Sequence, residues 1–206
     1  MKKTILGLFV AATLVTVSSA AFASQDGWYV FGAAGQTIGN TAKTNLDSAV
    51  TAAGGVGYSS NYGSPTVYNL DVGYQLNKNF AIEGGYLGSN NANYSASGGN
   101  LGAGLTGNAS ISGWKVEAVG ILPVADQFSL LGKLGVAGSK DSATASGAGN
   151  TFTASGTKTG VTYGIGAKYD ITQNVAGRLD FDEYQIGSSS SSINIEVWTV
   201  GVAYSF

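Results

Sequence analysis

The 206-residue chain has no cysteine, no histidine and only 2 prolines, and charged side chains make up 11% of it. Without cysteine there is no disulfide framework. Without histidine the usual general base is missing, and with cysteine also absent no metal-ligand cluster stands out, so neither metal nor cofactor is expected. The charged fraction is far below the roughly 25% of an ordinary soluble domain. The 10 basic residues against 12 acidic ones offer nothing for nucleic acid. After residue 17 no stretch approaches the roughly 20 apolar residues of a membrane-spanning helix. A chain without such a helix still has one way across a bilayer, a closed strand barrel, because closure pairs every backbone N–H and C=O.

What the sequence does have begins with an export signal. Lys2 and Lys3 precede an apolar run over residues 5–17, and Ala21-Phe22-Ala23 supplies the small–x–small cleavage pattern. Cleavage is expected between Ala23 and Ser24, giving a signal peptide over 1–23 and a mature domain over 24–206. Residue 24 is serine, not cysteine, which excludes a lipid-anchored lipoprotein. Removing Lys2 and Lys3 leaves 8 basic against 12 acidic residues, a net charge of −4. Low charge sits beside 44% hydrophobic content, 32 glycines and 11 tyrosines. That mixture suits a wall with lipid on one side, and also some secreted β-sandwiches.

Periodicity separates these. Over residues 66–76, Tyr68, Leu70, Val72, Tyr74 and Leu76 alternate with Asn69, Asp71, Gly73 and Gln75. The alternation exceeds nine residues, the length a tilted strand needs to cross the hydrocarbon, whereas a soluble sandwich strand averages nearer five or six. Similar segments lie at 80–88, 111–122, 128–136, 161–169, 175–182 and 198–206. A first strand over 27–38 is less regular, because Val30 and Phe31 fall on opposite faces. The count is eight. Short turns are expected at 77–79, 123–127 and 170–174. Long connections rich in Gly, Ser, Asn, Thr and Ala are expected at 39–65, 89–110, 139–158 and 187–194, with a serine run over 188–192. Short turns on one rim and long loops on the other predict an all-β, eight-stranded, antiparallel up-and-down transmembrane barrel, with the long loops outside the cell. Trp28, Tyr29, Tyr68, Tyr86, Tyr169, Trp198, Tyr204 and Phe206 near strand ends fit interfacial girdles.

Several motifs are recognisable. Residues 73–77 (GYQLN) followed by 83–86 (EGGY), residues 169–172 (YDIT) leading to 176–180 (AGRLD), and residues 199–206 (TVGVAYSF) resemble, in order, strands of the OmpA-like transmembrane domain family. The resemblance implies a Gram-negative outer-membrane location after export and a salt bridge between Glu83 and Arg178 that blocks the lumen. It also implies a fourth-strand lysine competing for the glutamate. Here that aligned position is Val119, with Lys115 four residues away on the same face. The last strand, with Gly201, Tyr204 and Phe206, resembles the recognition signal of the barrel-assembly machinery. The family's peptidoglycan-binding domain is not expected after Phe206. Expected partners are therefore outer-membrane lipids and, during biogenesis, the assembly machinery, with the barrel itself monomeric.

An eight-stranded barrel leaves an interior just wide enough for side chains. Parity sends Asp71, Glu83, Lys115, Glu117, Lys133, Lys168, Arg178, Asp180 and Asp182 inward, where charges must pair. Some small outer-membrane barrels are hydrolases or acyltransferases, but without histidine no catalytic residue is expected. Asp180 and Asp182 read as counter-ions, and residues 98–104 (GGNLGAG) lack the Lys-Ser/Thr ending of a phosphate loop. Three functions stay open: a structural barrel supporting the envelope, a narrow pore with water beside Gly73, Gly135, Gly164 and Gly166, and an adhesin acting through its outer loops.

Overall fold

The structure is a computed structural model and describes residues 27–38, 41–52, 54–101, 104–147, 150–188 and 191–206. The signal segment and the Ala23–Ser24 junction lie outside the described residues. The elements are β1 (Gly27–Ile38), α1 (Thr41–Ala52), β2 (Ser59–Tyr62), β3 (Thr66–Asn77), β4 (Phe80–Ser89), β5 (Ala92–Ser97), β6 (Leu105–Ala125), β7 (Phe128–Gly147), β8 (Asn150–Asp170), β9 (Val175–Ser188) and β10 (Ser191–Ser205).

Eight of these strands close a ring, β1-β3-β4-β6-β7-β8-β9-β10, with β10 pairing back onto β1. Every pairing is antiparallel. The ring is inside-out relative to a soluble barrel. Leu70 is 63% exposed while its neighbour Asp71 is 0% exposed, and the same alternation runs around the wall. Such an apolar outer surface is stable only against hydrocarbon.

The short turns are fixed by side chains. The Asn77 Oδ1 accepts from the backbone N–H groups of Asn79 (2.8 Å) and Phe80 (3.0 Å), which closes the β3–β4 turn. Thr172 Oγ1 does the same for Val175 (3.0 Å) between β8 and β9. The third turn is shorter than the sequence suggests. β6 runs on through Pro123 to Ala125, and only Asp126 and Gln127 reverse the chain. Proline fits there because a register shift between Pro123 and Ala125 already interrupts the ladder.

The expected loops are the larger departure. Residues 39–65 contain α1 and β2, and residues 89–110 contain β5 and the start of β6. The β7–β8 hairpin continues to Gly147 and Asn150, and β9–β10 to Ser188 and Ser191. The described chain therefore has ten strands, eight of them in the ring. Above the bilayer neither face of a strand meets lipid. Among the described residues only β5 buries one face, with Ala92, Tyr94 and Ala96 alternating with exposed Asn93, Ser95 and Ser97. Alternation is otherwise weak in the sequence of these extensions. Their ladders are held by backbone hydrogen bonds, which Ser, Thr, Ala and Gly allow.

Candidate functional site

The lumen is filled in layers. Toward the outside, Val67, Ala137, Tyr184, Ile186 and Val197 form an apolar layer, with Leu87 and Ile195 packed against it. Toward the periplasm lie Tyr29, Ala81, Val119 and Leu131, while Phe31, Ala33, Ala176 and Ala203 form a third cluster, in which Phe31 pairs across strands with Asp71 and Ala33 with Asn69. Between these layers sits a band of charge.

Glu83 on β4 and Arg178 on β9 meet across the lumen in a two-pronged contact, one N–H···O pair very close and the other, Nη2 to Oε2, at 3.3 Å. The Tyr29 hydroxyl donates to Glu83 Oε1 at 2.6 Å, and the Arg178 guanidinium lies 4.0 Å from the Phe31 ring centroid. Arg178 Nη2 also donates to Asp180 Oδ2 (2.9 Å). Lys133 Nζ lies 3.3 Å from Asp180 Oδ2 and donates to Asp182 Oδ2 at 2.7 Å. A second group centres on Lys115, whose Nζ is 2.8 Å from Glu117 Oε2 and 3.2 Å from Asp71 Oδ2. Thr162 donates to Glu117 (2.9 Å) and Asn69 to Asp71 (2.8 Å). All eight charged residues in the two groups are buried. Lys168 is placed differently. It lies half-buried at the periplasmic rim and pairs with Asp170 at 3.0 Å, away from the band.

Charges at such depth are tolerated only when paired, and here each cation serves two carboxylates. The band holds three cations and five carboxylates, so any ion forced through it meets a net negative interior. Sequence reasoning placed Tyr29 in an outer girdle, but its side chain points inward. β1 carries an aromatic residue on each face at its start, so hydrophobicity alone does not orient it. Phe31, Asn69 and Thr162 were likewise missed as contributors. The parity of β3 and β8 contained the last two, but neutral polar residues carry no obligation to pair.

The model of the outer membrane protein beta-barrel domain family matches residues 8–206. The chain belongs to this family. OprG from Pseudomonas aeruginosa superposes with a TM-score of 0.56 at 12% identity, covering 91% of this chain and 99% of that one. Ail, the attachment invasion locus protein of Yersinia pestis, gives 0.53 at 18% identity over 88% of this chain and 100% of its own. The N-terminal barrel domain of Pseudomonas aeruginosa OprF gives 0.53 at 14% identity, over 88% and 98%. At these identities the likeness is one of fold. Comparison with curated protein sequences finds no match. Family membership places this outer-membrane barrel among the envelope proteins of Gram-negative cells, with lipid around its wall.

The glycines beside which a narrow pore would hold water do not leave space in the lumen of this outer-membrane barrel. A Cβ at Gly73 would strike the Tyr29 ring, at Gly135 the Glu117 Cγ, at Gly164 the Asp182 carboxylate and at Gly166 the Asp180 carboxylate. Each glycine sits across the strand pair from the side chain that covers it. Glycine is used here to admit a neighbour's bulk into a narrow bore. Among the described residues, two cavities flank the charge band, each about 30 Å³, room for only a few waters.

Outside the membrane, Asp47 on α1 stitches the extension together. Its carboxylate accepts from Lys43 Nζ (2.6 Å) and the Tyr94 hydroxyl (2.8 Å), and its carbonyl accepts from the Tyr58 hydroxyl (2.7 Å). Lys43 also donates to Ser60 Oγ at 2.7 Å, which ties α1 to β2. The Lys43 ammonium, with Ser60 behind it, holds the Asp47 carboxyl down to about 2. Burial, reinforced by the bond to Asp47, pushes the Tyr94 phenol up to about 12.

Proposed function

We propose that this chain is a non-catalytic, structural barrel of the outer membrane that supports envelope integrity while keeping its lumen shut. The carrying observation is the charge band of Glu83, Arg178, Asp180, Lys133 and Asp182 with Asp71, Lys115 and Glu117, closed above and below by apolar layers. The band fixes strands that are far apart in sequence to one another across the bore. It belongs to a monomeric barrel surrounded by lipid, matured by cleavage before Ser24. Gly201, Tyr204 and Phe206 on the last strand form the signal read by the barrel-assembly machinery. The chain's lack of histidine supports the non-catalytic reading. The narrow-pore reading loses its main argument, because the four glycines it relied on are covered by side chains.

A second reading rests on a separate observation. β8 pairs with β9 only from Gly160 downward, so residues 150–159 have no second neighbouring strand among the described residues. β2 is the opposite edge of the same outer sheet. Such edges, held away from the bilayer, suit capture of an extended segment of a surface partner. One experiment separates the two readings. A strain lacking the protein is complemented with the full chain or with a chain whose residues 139–158 are replaced by a short turn. Detergent resistance restored by both supports the structural role. Resistance unchanged by either chain, with cell binding restored only by the full chain, replaces it with the adhesin.

A further inference from the structure

The outward glycines differ from the inward ones. A Cβ at Gly132 would meet nothing within 4 Å, and at Gly120 only the Gly132 carbonyl oxygen at 3.7 Å, an ordinary contact. Neither residue has a positive φ. Nothing inside the protein therefore requires glycine at either position. Gly32, Gly84 and Gly177 also face outward without crowding, but no two of them pair across strands. Gly120 and Gly132 do pair, across β6 and β7, and Gly132 pairs in turn with Ile165 on β8. Their shared floor is walled by Phe80, Leu122, Leu130 and Ile165, all exposed. The result is an open apolar groove of about 660 Å³ in the lipid-facing wall.

Its position limits what fits it. Counting outward residues up β7 from the periplasmic rim gives Phe128, Leu130 and then Gly132, with Leu134 and Val136 above, so the groove runs from the periplasmic rim to about the middle of the wall. At its lower end are two adjacent rim turns. The first carries Lys78 beside Asn79, which lines the groove, and the second carries Asp126. β4 and β6 are neighbours in the ring, so the two turns are adjacent at headgroup level, their centres about two strand spacings or ~10 Å apart.

We propose that this groove is a binding site for one zwitterionic phospholipid of the periplasmic leaflet. One acyl chain lies over Gly120 and Gly132 between the Phe80, Leu122, Leu130 and Ile165 ridges. The lipid phosphate meets Lys78, and the headgroup ammonium faces Asp126. A purely anionic headgroup matches only half of this pair, and a neutral lipid matches neither. Filling the groove with a side chain would displace the chain without touching the lumen.

The test uses the full-length mature barrel folded into phosphatidylethanolamine–phosphatidylglycerol vesicles that carry a trace of phosphatidylethanolamine with a diazirine in its acyl chain. After photolysis, labelled residues are mapped by peptide mass spectrometry. Labelling at Phe80, Leu122, Leu130 and Ile165 should exceed that at Val200 and Val202, on the far wall, by at least about fivefold. Gly132→Leu, with Gly120→Val as a second variant, should bring it down to the far-wall level while heat-modifiable migration shows an intact barrel. Lys78→Gln should lower labelling by the phospholipid probe and leave labelling by a diazirine fatty alcohol unchanged. Even labelling around the wall, labelling indifferent to both glycine variants, or indifference of the phospholipid signal to Lys78→Gln would each overturn the proposal. Depletion of label at the groove would overturn it in favour of a protein occupant, a second barrel among them.

Discussion

β7 changes character along its own length. Below Gly138, Phe128, Leu130, Leu134 and Val136 face lipid while Ser129, Leu131, Lys133 and Ala137 face the lumen. Above Gly138 the sequence turns to Ser, Lys, Asp, Ala and Thr, yet pairing with β6 and β8 continues to the tip. The same backbone ladder thus serves two solvents. In the bilayer, side chains decide stability, since each wall position meets hydrocarbon and each bore position meets a charge or a packed ring. In water the ladder carries most of the extension, and side chains matter only where they pack or bond, as Tyr94 and Asp47 do.

The first way to break this comparison lies in the bore. Arg178→Ala leaves Glu83 without its partner deep inside the barrel, and should cost about 3–5 kcal/mol. Denaturant unfolding from lipid vesicles reads this directly, and a cost under about 1 kcal/mol would mean that water already reaches the pair. Next comes the wall. Leu70→Arg or Ile165→Arg should cost about 2–4 kcal/mol near the bilayer midplane. The counterpart in the extension, Asn108→Arg on exposed β6, should change stability by no more than about 0.5 kcal/mol. Comparable penalties at both sites would erase the distinction between the regions.

The smallest effect belongs to α1. Tyr94→Phe removes the hydroxyl that holds Asp47, worth about 1 kcal/mol. Limited proteolysis should then cut within residues 41–62 sooner, with the heat-modifiable shift of the barrel unchanged. The pH dependence sharpens the point. Asp47 is depressed on folding, so its contribution is complete above the ordinary carboxylate value of 3.8 and is lost as pH falls through about 2. Tyr94 is raised, so its contribution persists until pH rises through about 12. Protection of α1 from proteolysis should therefore be flat between about pH 5 and pH 9.

How much of this was legible in the sequence follows the same division. Where lipid imposes alternation, as from Tyr68 to Leu76, the strand, its register and its two faces could be read directly. The inward set from Asp71 to Asp182 followed from parity alone, except Lys168, whose position at the rim depends on where the strand ends. The extensions look like loops in the sequence because small residues such as Ser, Thr, Ala and Gly give an alternation too weak to recognise, even over β5 (ANYSAS). The helix α1 was hidden for a similar reason, since residues 41–52 (TAKTNLDSAVTA) show little amphipathic pattern. Whether the glycines of the bore open or close it is not legible in the sequence, because composition does not reveal which side chain lies across the strand pair.

The central claim is that the bore is shut by a paired charge band between apolar layers. Conductance of the purified barrel in planar bilayers at neutral pH tests it most directly. The account predicts no steady current through the wild-type chain, and small cation-preferring openings once Arg178→Ala unlocks the band and leaves its carboxylates in excess. A steady ohmic current through the wild-type barrel, unchanged by that substitution, would contradict it.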